Sequence, residues 1–213
     1  MTAIVSIVGN SESGKTTLIE KLLGELKSRG YRVATIKHAP RGIAVDQPGT
    51  DSWRHIQAGS EATIVSTPER MVLIKPVAAD STLDEITRFF GEDYDIILAE
   101  GFKQAEAPKI EVHRRETGPL LTDIKRLFAI VTDEPLETKT RQFAPDDVKA
   151  LTDLLEAGFI KSQRERLSLY VNNNLVTLSV FPGEFIANVL LAMVASLKGV
   201  GKVKSVAVFL RKD

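Results

Sequence analysis

The sequence predicts an α/β fold: a three-layer domain with a mainly parallel sheet over residues 1–161, then a small C-terminal ββαβ module over residues 162–213. Three observations carry this reading. Short apolar runs alternate with stretches whose apolar residues recur at helical spacing, the pattern of strands joined by covering helices. The first run leads straight into a glycine-bounded loop, Gly9-Asn10-Ser11-Glu12-Ser13-Gly14-Lys15-Thr16, and then into a helix. After a polar connector, Lys161-Ser162-Gln163-Arg164-Glu165-Arg166, the texture changes to a hairpin pattern and one long apolar helix.

In order, Ala3 to Val8 reads as a buried strand. From Thr17 to Arg29, residues Leu18, Ile19, Leu22, Leu23 and Leu26 share a helical face, and Gly30 suits the left-handed residue that ends a helix. Tyr31 to His38 reads as a second strand, giving a βαβ unit with a right-handed crossover. Ala39 to Asp51, rich in Gly, Pro and Asp, is expected to be a loop. Ser52 to Gly59 follows as a short helix capped by Asp51 or Ser52. The runs Ala62–Ser66 and Met71–Lys75, joined by Thr67-Pro68-Glu69-Arg70, predict a hairpin.

Leu83, Ile86, Phe89 and Phe90 mark a helix with Asp80 or Ser81 as cap and Gly91-Glu92-Asp93 as its end. Tyr94 to Ala99 holds four apolar residues in succession, as a strand buried on both faces would, and delivers Glu100-Gly101. Pro108 to Arg115, alternating Ile110 and Val112 with charged residues, and Arg126 to Val131 are further strands. Pro145 or Asp146 opens a helix with Val148, Leu151, Leu154 and Leu155 on one face, ending near Gly158.

In the C-terminal module, Leu167–Val171 and Leu175–Val180 flank Asn172-Asn173-Asn174, a residue type that tolerates the positive φ of hairpin turns. Pro182 fits the first turn of a helix running to Lys198, and Val203 to Leu210 is expected to add a third strand. About 50 residues is marginal for an independent fold. Two arrangements are therefore open, packing on the first domain or on a second copy of the module.

Composition narrows the class. At 213 residues the chain suits one domain with a substantial core, or one domain plus an appendage. Lys plus Arg and Asp plus Glu number 28 each, so no gross field favours nucleic acid or an anionic membrane, and neither is expected as a partner. Without cysteine there is no disulfide framework, thiolate metal site or cysteine nucleophile, and a cytoplasmic location is expected. The N-terminus enters a strand without a basic leader, so no signal peptide is expected. The most apolar helix candidate, Phe185 to Leu197, contains Asn188 and falls short of the ~20 residues that span a bilayer.

The loop from Gly9 to Thr16 fits the phosphate-binding pattern G-x-x-x-x-G-K-[ST], and its strand-before, helix-after context is the one a P-loop NTPase domain requires. Backbone N–H groups and the helix dipole would face an anion there. Gly9, Asn10, Ser11, Glu12, Ser13, Gly14, Lys15, Thr16 and Thr17 are the candidate nucleotide contacts. Lys15 would reach the β- and γ-phosphates, and the Thr16 hydroxyl would ligate Mg²⁺. Glu100 ends a strand on the edge facing the nucleotide, where P-loop proteins hold a carboxylate for the metal. Lys15 and Glu100 would carry any phosphoryl chemistry.

Asp51 is a rival metal ligand, with helix capping as its plain alternative. Asp46-Gln47-Pro48-Gly49 matches a short D-x-x-G pattern of a kind that can sense a γ-phosphate. His38, His55 and His113 are too dispersed for a zinc site, and only His38 ends a strand near the phosphate loop. Thr132-Asp133 also ends a strand. A carboxylate there could accept from guanine N1–H and N2–H₂, or could simply turn the chain into Pro135.

Together, Gly9-x4-Gly14-Lys15-Thr16-Thr17-Leu18, Ile36-Lys37-His38, Val45-Asp46-x-Pro48-Gly49-x-Asp51-Ser52, Ala58-Gly59 and Ala99-Glu100-Gly101-Phe102-Lys103 occur in an order that resembles the molybdopterin-guanine dinucleotide biosynthesis protein B family. The resemblance covers about residues 1–160. It implies a GTP-binding adaptor that assists attachment of GMP to molybdopterin, with GTP and Mg²⁺ bound and weak GTPase activity at most. A homodimer and a molybdopterin guanylyltransferase partner are implied as well. The resemblance also aligns Thr132-Asp133 with the family's base-contacting segment.

Two features depart from the family pattern. The loop after His38 reads Ala39-Pro40-Arg41-Gly42, where family members often carry further histidines, and residues 162–213 lie outside the family's minimal form. Two other classes compete. A P-loop small-molecule kinase would need an acceptor pocket and a base, and the sequence shows no clear arginine-rich lid. A GTP-dependent nickel metallochaperone would be expected to show Cys and His ligands.

Overall fold

The computed structural model describes residues 2–40, 42, 46–91, 93–161, 167, 169–172, 174–176, 178–203 and 206–210. Internal contacts divide the chain into two compact units, Thr2–Ser162 and Gln163–Asp213. The first runs β1 (Ala3–Gly9), α1 (Lys15–Ser28), β2 (Val33–Lys37), α2 (Asp51–Gln57), β3 (Thr63–Ser66), β4 (Met71–Ile74), α3 (Leu83–Thr87), β5 (Ile96–Glu100), β6 (Lys109–His113), β7 (Leu127–Thr132), β8 (Arg141–Phe143) and α4 (Val148–Leu155).

Six strands form one sheet in the order β2-β5-β1-β6-β7-β8, and every pairing is parallel. This is the P-loop NTPase-like α/β architecture, with β1 between β5 and β6. On one face, Val5, Ile7, Leu98, Ile110, Val112 and Val131 pack against Leu18, Leu22 and Leu26 of α1 and Leu151 and Leu155 of α4. On the other, Ala34, Ile36, Ile97 and Ala99 pack against Leu83, with Ile86, Phe90 and Phe102 at the margin. β3 and β4 form the expected hairpin, a separate antiparallel pair. β8 has no counterpart among the strands expected from the sequence. It has three residues, two of them exposed, and so no apolar run to announce it.

The charged residues that alternate with Ile110 and Val112 in β6 do not face water. Lys109 and Glu111 are buried, as is His113. The Lys109 ammonium donates to the carbonyls of Ala105, Ala107 and Lys125, so backbone acceptors supply what water would. Glu111 Oε1 accepts from the Leu121 N–H at 2.7 Å. Burial pulls the Lys109 pKa down and pushes that of Glu111 up, each towards its neutral form.

The helix ends correct the expected caps. Thr50, rather than Asp51 or Ser52, caps α2: its backbone is extended and its hydroxyl accepts from the Trp53 N–H at 3.3 Å. Thr82, rather than Asp80 or Ser81, caps α3. It makes a reciprocal pair with Glu85, the threonine hydroxyl to the Glu85 N–H and the Glu85 carboxylate to the Thr82 N–H. Past α4 the backbone continues as a π-helical turn, Glu156–Ile160, which ends the helical stretch two residues beyond Gly158 and buries Ile160 in the core.

In the second unit, β9 (Leu169–Val171) and β10 (Asn174–Val176) pair antiparallel, and α5 spans Val180–Ala195 with Pro182 in its first turn. The polar connector at 162–166 lies outside the described residues. The third strand expected from Val203 to Leu210 does not form among the described residues 203 and 206–210. A β-branched run becomes a strand only when a neighbour supplies the ladder, and Phe209 and Leu210 are 95% and 89% exposed.

The far end of α1 is tied to α4 by one guanidinium. Arg29 donates to Glu25, Asp153 and Glu156, while Glu156 also takes the Tyr31 hydroxyl at 2.7 Å and the Lys161 ammonium at 2.7 Å. Lys161, Tyr31 and Arg29 together hold the Glu156 carboxyl down at about 2. The folded state thus favours the charged form. The stability this contributes is complete above the ordinary glutamate value of about 4.3 and is lost as pH falls through the folded value. Glu156→Gln should accordingly flatten the loss of stability between about pH 5 and pH 2, read by urea unfolding at a series of pH values. A parent-like acid slope in the variant would show that Glu156 is not a main contributor.

Candidate functional site

β1 enters the loop through Gly9, which packs so closely on β6 that an added Cβ would lie 2.3 Å from the Val112 carbonyl oxygen. At the other end Gly14 has φ +96° and immediately precedes α1. α1 begins without a side-chain cap and without an acidic residue in its first turn, leaving its first N–H groups for an outside acceptor. Inside the loop, the Ser13 hydroxyl is buried with no hydrogen-bond partner. Lys15 Nζ folds back onto the Asn10 carbonyl at 2.5 Å. Burial lowers the Lys15 pKa, opposed by Glu100, with Lys103 and Lys37 adding to the lowering. Uncapped amides, an orphaned buried hydroxyl and a loop start with no room for a Cβ at Gly9 fit an anionic phosphate group.

Glu100 stands at the end of β5, opposite Ile7 of β1 in the parallel register. That register carries its carboxylate to the start of α1, where Thr16 Oγ1 lies 3.2 and 3.1 Å from its two oxygens. A hydroxyl and a carboxylate meeting beside a phosphate cradle are the hard oxygen donors that Mg²⁺ takes, usually keeping waters for its remaining positions. Lys37 Nζ lies 3.9 Å from the same carboxylate. Asp51 sits in the first turn of α2, 3.6 Å from Arg54. Asp46 organises the loop before that helix: one carboxylate oxygen accepts from the Gln47 N–H, Thr50 Oγ1 and Ser52 Oγ. Among the described residues no three His, Cys, Asp or Glu side chains cluster as a metal cage.

Thr132 ends β7, and Asp133 follows it. The Thr132 hydroxyl accepts from the Glu134 N–H and donates to the Glu134 carbonyl, closing the turn. Asp133 accepts from the Arg115 N–H at 3.2 Å and lies 3.7 Å from the Arg114 guanidinium. Arg114 Nε in turn donates to the Ser13 carbonyl at 3.1 Å. Asp133 is therefore joined to the phosphate loop through one arginine. A cleft opens here, lined by Gly14, Thr17, Leu18, Lys21, Val131 and Pro145.

The other loop residues play lesser parts. Ser11 and Glu12 are exposed, with Glu12 at φ +61°. The Asn10 amide donates to the Thr117 and Pro119 carbonyls and so anchors the segment after β6. The histidines stay dispersed: His113 pairs with Glu134 at 3.1 Å, and His38 with Asp80 at 2.7 Å. Arg114 and the Asn10 side chain are contacts that sequence reasoning missed. The available signal was position, since Arg114 directly follows a strand that the phosphate loop needs as a neighbour.

Fold and loop define the class: an α/β protein of the P-loop NTPase-like type. The family model for molybdopterin guanine dinucleotide synthesis protein B matches residues 4–133, and the chain belongs to that family. It is 38% identical to the molybdopterin-guanine dinucleotide biosynthesis adapter protein of Haemophilus influenzae over 155 residues, which is 72% of this chain and 87% of the relative. Against the adapter protein of Escherichia coli identity is 33% over 162 residues, 73% of this chain and 92% of the relative. The crystal structure of a MobB homolog from Bacillus stearothermophilus superposes with TM-score 0.58 at 26% identity, covering 75% of this chain and 99% of that one. Among the described residues no helix is long and apolar enough to cross a membrane.

Proposed function

We propose that this protein binds GTP with Mg²⁺ and serves as an adapter in molybdopterin-guanine dinucleotide synthesis, assisting attachment of GMP to molybdopterin. The observation that carries the nucleotide reading is the meeting of Thr16 Oγ1 with both Glu100 oxygens beside an uncapped helix start. The names of the relatives and the family membership support the adapter role. Bound Mg²⁺ would neutralise charge between the β- and γ-phosphates, held by Thr16 and Glu100. Asp51 is the second carboxylate candidate. The loop N–H groups from Gly9 to Thr17 bind the phosphates, Ser13 Oγ gains the partner it lacks, and Lys15 swings from the Asn10 carbonyl to a phosphate oxygen. In this reading hydrolysis is slow and incidental, and a homodimer presents the nucleotide to a molybdopterin guanylyltransferase.

Four experiments test this. Lys15→Ala should weaken Mg-GTP binding at least tenfold, about 1.4 kcal/mol, in calorimetry. In the same assay Glu100→Gln should lose more affinity with Mg²⁺ than in EDTA. Equal affinities for the parent and the lysine variant would remove the basis of the reading.

Asp133→Asn should lower GTP affinity and gain xanthosine triphosphate, because the amide can donate to the extra carbonyl of that base. Adenine presents an acceptor at N1, where guanine presents a donor to the carboxylate. A parent that binds ATP as tightly as GTP would reduce Asp133 to a turn residue.

Affinity capture of the tagged full chain, followed by mass spectrometry, should recover a molybdopterin guanylyltransferase. Repeated recovery of nickel enzymes instead would shift the assignment to a metallochaperone.

A further inference from the structure

We infer that Lys37 and Lys103 form a second pair of cations that reads the terminal phosphate, so that the site distinguishes a nucleoside triphosphate from a diphosphate. This rests on the GTP reading above and deepens it. Lys37 is the last residue of β2 and stands opposite Glu100 in the β2–β5 register. Its ammonium lies 3.9 Å from the carboxylate that also meets the Thr16 hydroxyl. Lys103 follows Glu100 by three residues, and both lysines add positive potential at Lys15. The Lys37 ammonium thus stands beside the carboxylate, and Lys103 lies on the turn that follows it.

The backbone that brings Lys103 there has a specific build. Gly101 and Phe102 have φ of +99° and +56°, and the second is uncommon for a residue with a side chain. The turn lays the Phe102 ring on the His38 ring with centroids 4.7 Å apart, and His38 Nε2 pairs with Asp80 at 2.7 Å. An added Cβ on Gly101 would lie 3.1 Å from the His38 Cβ. The Lys37-His38 end of β2 and the Gly101-Phe102-Lys103 turn after β5 are therefore interlocked through His38, which sets where the backbone of each lysine lies relative to Glu100.

Charge balance identifies what they bind. Around the end of β5, Lys15, Lys37 and Lys103 outnumber the Glu100 carboxylate, with Glu111 the other acid near Lys103. The loop amides serve the inner phosphates, and Lys15 reaches the β- and γ-phosphates from the side of the loop. A terminal phosphate itself carries about two negative charges near neutral pH, and a triphosphate carries about one more in all than a diphosphate. Two lysines on the metal-carboxylate side match the terminal phosphate. The plain alternative is that Lys37 only offsets Glu100. In that case its loss would alter triphosphate and diphosphate binding alike.

The test is calorimetry on the full chain with Mg-GDP and with the Mg-bound β,γ-imido analogue of GTP, which does not hydrolyse. Lys37→Met and Lys103→Met should each weaken the triphosphate analogue about tenfold, the size expected for one charge-assisted phosphate contact, while changing GDP affinity less than about threefold. The double variant should nearly abolish the preference, and Lys37→Arg should retain it. Parallel losses for both nucleotides, or an unchanged preference in the double variant, would overturn the assignment. If the parent shows no Lys15-dependent nucleotide binding, the GTP reading falls as well. If the parent binds and the variants keep its preference, only the role of Lys37 and Lys103 falls.

Discussion

The site depends on the close approach of two backbones. Gly9 lies so near the Val112 carbonyl that no side chain fits between β1 and β6, and this contact sets where the loop can start. Everything downstream inherits that origin. The loop must climb and turn within a few residues to reach Gly14, whose left-handed conformation starts α1 with its amides uncovered. α1 is then held to the sheet by Leu18, Leu22 and Leu26, and at its far end by the Arg29 contacts to α4. A helix anchored along its length and left bare at its tip is a fixed dipole with an open positive end.

Around that tip, the sheet's parallel register converts sequence distance into proximity. Glu100 and Lys37 reach the start of α1 because β5 and β2 run alongside β1 and end at the same edge. β6 and β7 deliver Arg114 and Asp133 to the opposite side of the loop. The two sides differ in character. One gathers lysines around a carboxylate, and the other joins a carboxylate to the loop through an arginine. The buried Lys109 and Glu111 lie on the same strand as these contacts, and their backbone partners keep a strand with charged side chains in the middle of the sheet.

Much of this was legible in the sequence. The apolar run, the G-x-x-x-x-G-K-T spacing and the leucine periodicity each have a local cause, and Glu100 followed from the end of an unbroken apolar strand. What stayed hidden has a tertiary cause. Arg114 meets Ser13 across 101 residues and His38 meets Asp80 across 42, and no local pattern encodes either contact. Caps missed by one or two positions because Thr50, Asp51 and Ser52 are all capable, and the backbone dihedral decides among them. The expected last strand had the right residues, but strand formation also needs a neighbour.

The two margins of the sheet are unequal. β8 closes one side with only three residues, two of them exposed, whereas β2 closes the other with five residues, including the buried Ala34 and Ile36. A short strand offers few free amides for another chain to zip onto, so the β8 margin resists templated growth of the sheet. The β2 margin is longer and carries Lys37 at its tip, a charge that disfavours edge-to-edge stacking. A lysine at the end of an edge strand thus works against pairing of that edge with the sheet edge of another copy.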